Sequence, residues 1–181
     1  MDDRETPATH LVTVWDPLVR ISHWSIAVLF GIAMVTEEDW QRLHNWAGYA
    51  LLALIGVRIV WGFVGSRHAR FSDFVRPPSA AVAYLRGLIG GTAPRTLGHN
   101  PAGGLMALAL WAMLVATGVT GWLVTLQVSA GREWLRELHE LLANGTLVLV
   151  ILHVLGVAAS SYRHGENLVM AMLTGRKRAD R

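Results

Sequence analysis

Charge is missing from this chain in four blocks. Residues 21–36 (ISHWSIAVLFGIAMVT), 96–131 and 141–162 hold no Asp, Glu, Lys or Arg, and residues 43–66 hold only Arg58. A helix needs about 20 mainly apolar residues to cross the hydrocarbon layer of a membrane. Two of the blocks meet that length directly. The first meets it once Leu18, Val19 and Arg20 are added, with the Arg20 head group reaching back toward water. The second meets it if Arg58 has a partner. The expected fold class is therefore all-α: a four-helix transmembrane bundle in one domain, residues 1–181, with spans at about 18–36, 43–64, 104–127 and 136–161. A soluble helical bundle fits less well, because all four stretches exceed ordinary core-helix length. A cleavable signal peptide fits poorly too, since the first apolar stretch starts late and lacks a small-residue cleavage motif. With 52% apolar and 16% charged residues the chain is far from a disordered composition.

The basic residues set the orientation. The N-terminal segment, the loop at 65–103, the C-terminal tail and Arg58 together carry 13 of the 16 Lys and Arg residues, and the opposite side has only Arg42, Arg132 and Arg136. Positively charged loops stay in the cytoplasm, so both termini are expected there. Seven acids accompany the 13 bases on the inner side and six accompany the three outside, giving +6 and −3. The basic balance thus records topology, and no nucleic-acid partner is needed to explain it. Trp15, Trp24 and Trp61 fall near the inner interface, and Trp40, Trp46, Trp122 and Trp134 near the outer one, as in an aromatic belt.

Ionisable residues inside spans point to function. Four of the eight histidines, His23, His44, His139 and His153, lie in spans or at their ends. His139 and His153 are 14 residues apart, close to four helical turns, so they share a face about 21 Å apart along one helix. His23 begins the first helix on the inner side, and His44 begins the second on the outer side. The four sort into an outer level, His44 with His139, and an inner level, His23 with His153. Two imidazoles facing each other across a bundle suit the axial positions of a haem iron. Zinc would need three or four ligands at one point. The chain has no Cys, which excludes disulfides, thiolate metal sites and C-x-x-C-H attachment. The expected cofactors are two non-covalent b-type haems ligated by His alone.

Further candidates follow from helical spacing. Arg58, 14 residues after His44, faces the same way one level lower, and Arg20 precedes His23 by one turn. Both are candidates to hold haem propionates, since guanidinium suits carboxylate. Gly48, one turn after His44, Gly118 and Gly121 in the third helix, and Gly145 and Gly156 flanking His153 are candidate flat walls for a porphyrin. Small residues also serve plain helix contacts. The stretch RPPSAAVAYLRGLIGG is expected as a short helix on the inner surface, Asn100 as the cap of the third span, and His99 as a hydrogen-bond partner of a propionate or part of an entry turn. Glu37, Glu38 and Asp39 form an acidic outer turn that is either a docking point for a basic partner or a solvated turn.

WDPLVRISHW at 15–24, LHNWAGYALLALIGVRIVWGFVG at 43–65, ARFSDF at 69–74, GHNPAGG at 98–104 and a fourth helix with two histidines resemble the bacterial cytochrome b561-type proteins, in the branch that includes the cytochrome b subunits of nickel-iron hydrogenases. The resemblance runs over residues 14–178. It implies a four-helix di-haem membrane cytochrome b in which His23, His44, His139 and His153 match the ligand positions. It further implies electron transfer between membrane quinone and a redox partner, such as a periplasmic c-type cytochrome or an enzyme subunit. Some members are superoxide:quinone oxidoreductases instead, which here would call for a basic funnel built on Arg132 and Arg136 amid Glu133, Glu137 and Glu140. The tail ends soon after the fourth helix, unlike typical hydrogenase subunits, so a stand-alone cytochrome serving a soluble c-type cytochrome is expected over a hydrogenase anchor.

Overall fold

The structure, a computed structural model, describes residues 10–36, 40–126 and 132–179. The chain opens with a short strand, β1 (Leu11–Thr13), and runs through α1 (Pro17–Val35), α2 (Gln41–Val64), α3 (Phe71–Phe74), α4 (Pro78–Gly90), α5 (Pro101–Thr125), α6 (Arg132–His164) and α7 (Leu168–Thr174) to β2 (Arg176–Arg178). Four of the helices, α1, α2, α5 and α6, are long and apolar enough to cross a membrane.

Helix starts follow the local chemistry. Asp16 caps α1, its side chain accepting the Val19 amide at 2.9 Å, with Pro17 in the first turn. Asn100 repeats the device on α5, accepting the Gly103 amide at 2.7 Å ahead of Pro101. Each cap satisfies an amide that the helix leaves open, and proline lacks the amide that would need one. The expected spans match within a few residues except in α6, which runs 33 residues, or about 50 Å. Its charged ends at 133–140 and 160–164 continue the helix into water on both sides, because helix formation does not stop where the apolar run does.

The bundle packs in the order α1 on α2, α2 on α5 and α5 on α6, with α4 lying against α5. Phe30, Leu51, Ile55 and Leu114 form the central core of the first three spans, and Val150 of α6 reaches it from the side. Lipid is as apolar as these side chains, so helix association depends on close fit. Small residues provide it: a Cβ on Gly145 would stand 2.9 Å from the Met113 side chain, and one on Gly118 would meet Leu52 at 2.5 Å.

Two elements depart from the expected plan of helices and loops alone. β1 pairs antiparallel with β2, Val12 opposite Lys177, and α7 precedes the second strand. The ribbon is pinned by an ion cluster in which Glu166 binds Arg95 and Lys177, the latter at 3.3 Å, while Arg95 also donates to the Arg178 carbonyl. It places the two ends of the described chain on one face of the bundle, called here the terminal face, with the last residues of α1 and α5 and the first of α2 and α6 at the opposite face, called the turn face. The aromatic belt needs one correction. Trp40, Trp46, Trp122 and Trp134 are exposed around the turn face, but Trp15 is only 6% exposed, packed with Val14, Val19 and Ala69. Trp61 is likewise drawn inward, donating to Asp16 at 3.0 Å. The polar cluster at the start of α1 outcompetes the interface for both rings.

Candidate functional site

The four span histidines meet in two pairs. The rings of His44 and His139 have centroids 6.1 Å apart, and those of His23 and His153 6.3 Å apart. Two imidazoles bound through one nitrogen each to opposite sides of a metal ion, with bonds of about 2.0–2.1 Å, have ring centres about 6.3 Å apart. Both pairs therefore have the spacing of axial ligands to one ion. Among the described residues no group of three or more His, Asp or Glu converges to hold a metal by itself. A planar group that supplies the remaining ligands, as a haem does, is the kind of partner that two lone imidazoles can serve.

At the turn face the rings are held firmly. His44 Nδ1 lies 2.9 Å from the carbonyl of Ala33 on α1, and His139 Nδ1 lies 2.9 Å from the carbonyl of Thr117 on α5. A carbonyl only accepts, so Nδ1 carries the proton in both rings and Nε2 is left with its lone pair available to a ligand. The Thr120 hydroxyl stands 3.3 Å from His139 Nδ1, and a Cβ on Gly121 would be 2.8 Å from the same ring's Cε1. Thr117 and Thr120 were not among the expected site residues. Their trace in the sequence is the small, hydroxyl-bearing run TGVTG inside an otherwise apolar helix.

At the terminal face the polar groups are buried but incompletely bonded. Arg20 Nε, His23 Nδ1, Arg58 Nη1 and His99 Nδ1 are buried side-chain nitrogens without a hydrogen-bond partner among the described residues. Buried donors are rarely left open, and each such case calls for an explanation. All four gather at one end of the bundle, where the charge of Arg58 reaches His23 and His99. Arg58 is 5% exposed, with its guanidinium 5.1 Å from the centre of the Trp111 ring. Arg20 donates to the Leu173 carbonyl. His99 is sandwiched between Trp15 and Phe74, at 4.8 and 4.7 Å between ring centres. Burial and the nearby Arg58 charge push its pKa down to about 4, so it is neutral at physiological pH. Asp16 is the counter-charge. Burial raises its pKa, but bonds from Ser66, Trp61 and the Val19 amide, with Arg58 nearby, outweigh that and hold the carboxyl below the usual range.

This end thus presents donors and positive charge with acceptors missing, which fits an anionic edge such as a pair of propionates. Space is available on the histidine face as well: nothing lies within 4 Å of where a Cβ on Gly48 would stand. Gly118, by contrast, is filled by Leu52, and its place is a tight α5–α2 contact. The acidic turn 37–39 and the side chain of Arg132 lie outside the described residues. Arg136 is exposed beside Glu133, Glu137 and Glu140, so the described residues above His139 form no basic funnel.

A family model described as prokaryotic cytochrome b561 matches residues 14–175. Searches of curated proteins and of solved structures return no match. The match runs from the capped start of α1 through both histidine levels to α7, and the chain belongs to the prokaryotic cytochrome b561 family.

Proposed function

We propose that this chain carries electrons across the bacterial inner membrane, between membrane quinone and a periplasmic redox partner such as a c-type cytochrome. Two non-covalent haems b are held in it, one by His44 and His139 and one by His23 and His153. The observation that carries this reading is the pair of imidazole spacings, 6.1 and 6.3 Å, repeated at two levels of one bundle. A bis-histidine haem iron supplies one-electron transfer with little rearrangement of its ligands.

The chain's own residues do the positioning. The Ala33 and Thr117 carbonyls fix the tautomer and ring plane of His44 and His139. Arg58, Arg20 and His99 supply the donors for the anionic edge at the terminal face. Exposed apolar side chains along all four spans, among them Val28, Val60, Val119 and Leu155, face lipid. The 13-to-3 division of Lys and Arg puts the termini in the cytoplasm and the turn face in the periplasm.

The test is an absorption spectrum of the purified protein with haem quantified per chain. Two low-spin b-type haems are expected after reduction. His44→Ala and His139→Ala should each lose the same haem, and His23→Ala and His153→Ala the other. Loss of one haem by His23→Ala and His44→Ala together would break the pairing, and a preparation without paired b bands would end the reading. Quinol-driven reduction then tests the substrate.

A further inference from the structure

A second polar site lies outside both histidine levels, where α4 and the end of α6 meet alongside α5. Arg163, in the last turn of α6, donates to the Ile89 carbonyl of α4 at 2.7 Å. The next residue, His164, has its Nε2 3.2 Å from the Tyr84 hydroxyl of α4. Beside these bonds is a cavity of about 130 Å³, lined by Leu88, Gly91, Ala93, Arg163 and His164. Gly91 closes α4 at φ 77°, and a Cβ there would stand 3.4 Å from Arg163 Nη1, so glycine keeps that side of the guanidinium uncovered. No carboxylate pairs with Arg163 among the described residues. No Asp or Glu occurs from residue 74 to 132 or from 141 to 165, and Glu166 is committed to Arg95 and Lys177. The cavity therefore has a guanidinium at its wall and no anion of the chain's own.

Its surroundings place it at headgroup depth. Tyr162 ends the uncharged run 141–162 and is 89% exposed, as an aromatic ring at a membrane interface is. On α4, Val82, Leu85 and Ile89 share one exposed side, with Ile89 82% exposed. On α6, Leu152, Leu155, Ala159 and Arg163 follow at spacings of three and four, so an exposed apolar row leads from the guanidinium toward the middle of the bilayer. We propose that the cleft between α4 and α6 binds one phospholipid of net negative charge, with its phosphate against Arg163 and His164 and its acyl chains along Ile89 and the row from Ala159 to Leu152. Guanidinium suits phosphate oxygens because its fork forms paired hydrogen bonds. A zwitterionic lipid would also bring an ammonium group, and the cleft has no carboxylate to receive it. A free phosphate would gain nothing from the apolar rows. On the orientation proposed above, the site belongs to the cytoplasmic leaflet, where basic clefts between helices hold acidic headgroups. None of these residues belongs to the haem sites proposed above, so the lipid site stands or falls apart from them.

The experiment is native mass spectrometry of the purified holoprotein in detergent, titrated with phosphatidylglycerol, phosphatidylcholine or inorganic phosphate. The wild type should retain one phosphatidylglycerol per chain, about tenfold more tightly than phosphatidylcholine, the ratio that one charge-assisted contact supports, and should not retain inorganic phosphate. Arg163→Gln should remove that preference. Ala159→Phe should weaken phosphatidylglycerol binding by crowding the acyl row. It keeps the guanidinium and its bond to Ile89, so it tests the site even if Arg163→Gln loosens α4. Arg86→Gln, exposed on α4, should change neither. Equal retention of the two lipids, a preference that survives Arg163→Gln, or equal losses in Arg163→Gln and Arg86→Gln would overturn the proposal. So would phosphatidylglycerol binding unmoved by Ala159→Phe, or inorganic phosphate held as tightly as the lipid.

Discussion

The two ends of this bundle treat their polar groups in opposite ways. At the turn face each histidine of the pair has its outer nitrogen bonded to a helix carbonyl, and the chain completes the arrangement from its own backbone. At the terminal face four buried nitrogens, of Arg20, His23, Arg58 and His99, have no acceptor among the described residues. Open donors in a well-packed region are costly, so the second arrangement makes sense only as half of a complex. On the proposed di-haem reading, one end is a finished ligand frame and the other is a receptor for negative charge, assembled around Arg58 and its counter-ion Asp16.

The largest effect is expected from Asp16→Ala, which strikes the receptor end alone. It removes the α1 cap, worth about 1 kcal/mol, and strands the Trp61 and Ser66 donors at about 1 kcal/mol each. A loss of about 3 kcal/mol is expected in all, read as unfolding of the holoprotein in detergent. The terminal-side haem should be released first, and simultaneous release of both would show that the ends are not independent. Arg58→Leu sharpens the same contrast without removing a cap. It should lower the midpoint of the terminal-side haem and leave the other in place, and equal shifts would remove Arg58 from the anion site.

Glu166→Gln should come next, at about 2 kcal/mol. That is below the cost of breaking a fully buried ion pair, because Arg95 keeps its bond to the Arg178 carbonyl. Burial raises the Glu166 pKa, but Arg95 and Lys177 outweigh it and hold the carboxyl below its ordinary value. The native state therefore favours the charged form. This stability is present above the unfolded pKa, near 4.5, and is lost as pH falls through the lower folded value. Amide exchange of the β1–β2 ribbon should rise on acidification in the wild type. In Glu166→Gln it should already be raised at neutral pH and respond little to acid. A ribbon that stays protected in the variant would mean that strand pairing alone holds the termini.

Much of this was legible in the residues, and what was not has identifiable causes. The spans could be read because a run without charge has few other uses, and the histidine levels because 14 residues nearly close four turns. Arg58 stood out by the same spacing. The ribbon did not, since LVT and RKR are too short to show alternation and their pairing joins opposite ends of the chain. The partners of the turn-side rings were hidden for another reason. Ala33 and Thr117 act through backbone carbonyls, so their side chains do not advertise the role. Trp15 was misplaced because a tryptophan beside a span suits the membrane interface equally well, and only the tertiary neighbours Ala69 and His99 decide otherwise.

The smallest effect tests whether carbonyls, and not hydroxyls, hold the turn-side frame. Thr146 is fully buried between α5 and α6, donating to the Leu142 carbonyl at 2.8 Å and lying 3.3 Å from the Thr117 hydroxyl. Thr146→Val keeps the shape and removes the hydroxyl. Thr117 still donates to the Met113 carbonyl at 2.8 Å, and its own carbonyl still accepts from His139. Hydrogen bonds between membrane helices average about 0.6 kcal/mol, so the change should stay within that amount. Both haem spectra should be unaltered. If this variant weakened the turn-side haem, the Thr117–Thr146 contact would be part of what orients His139. The frame would then depend on side chains at both ends, and the contrast between a finished end and a receptive one would narrow to a difference in charge.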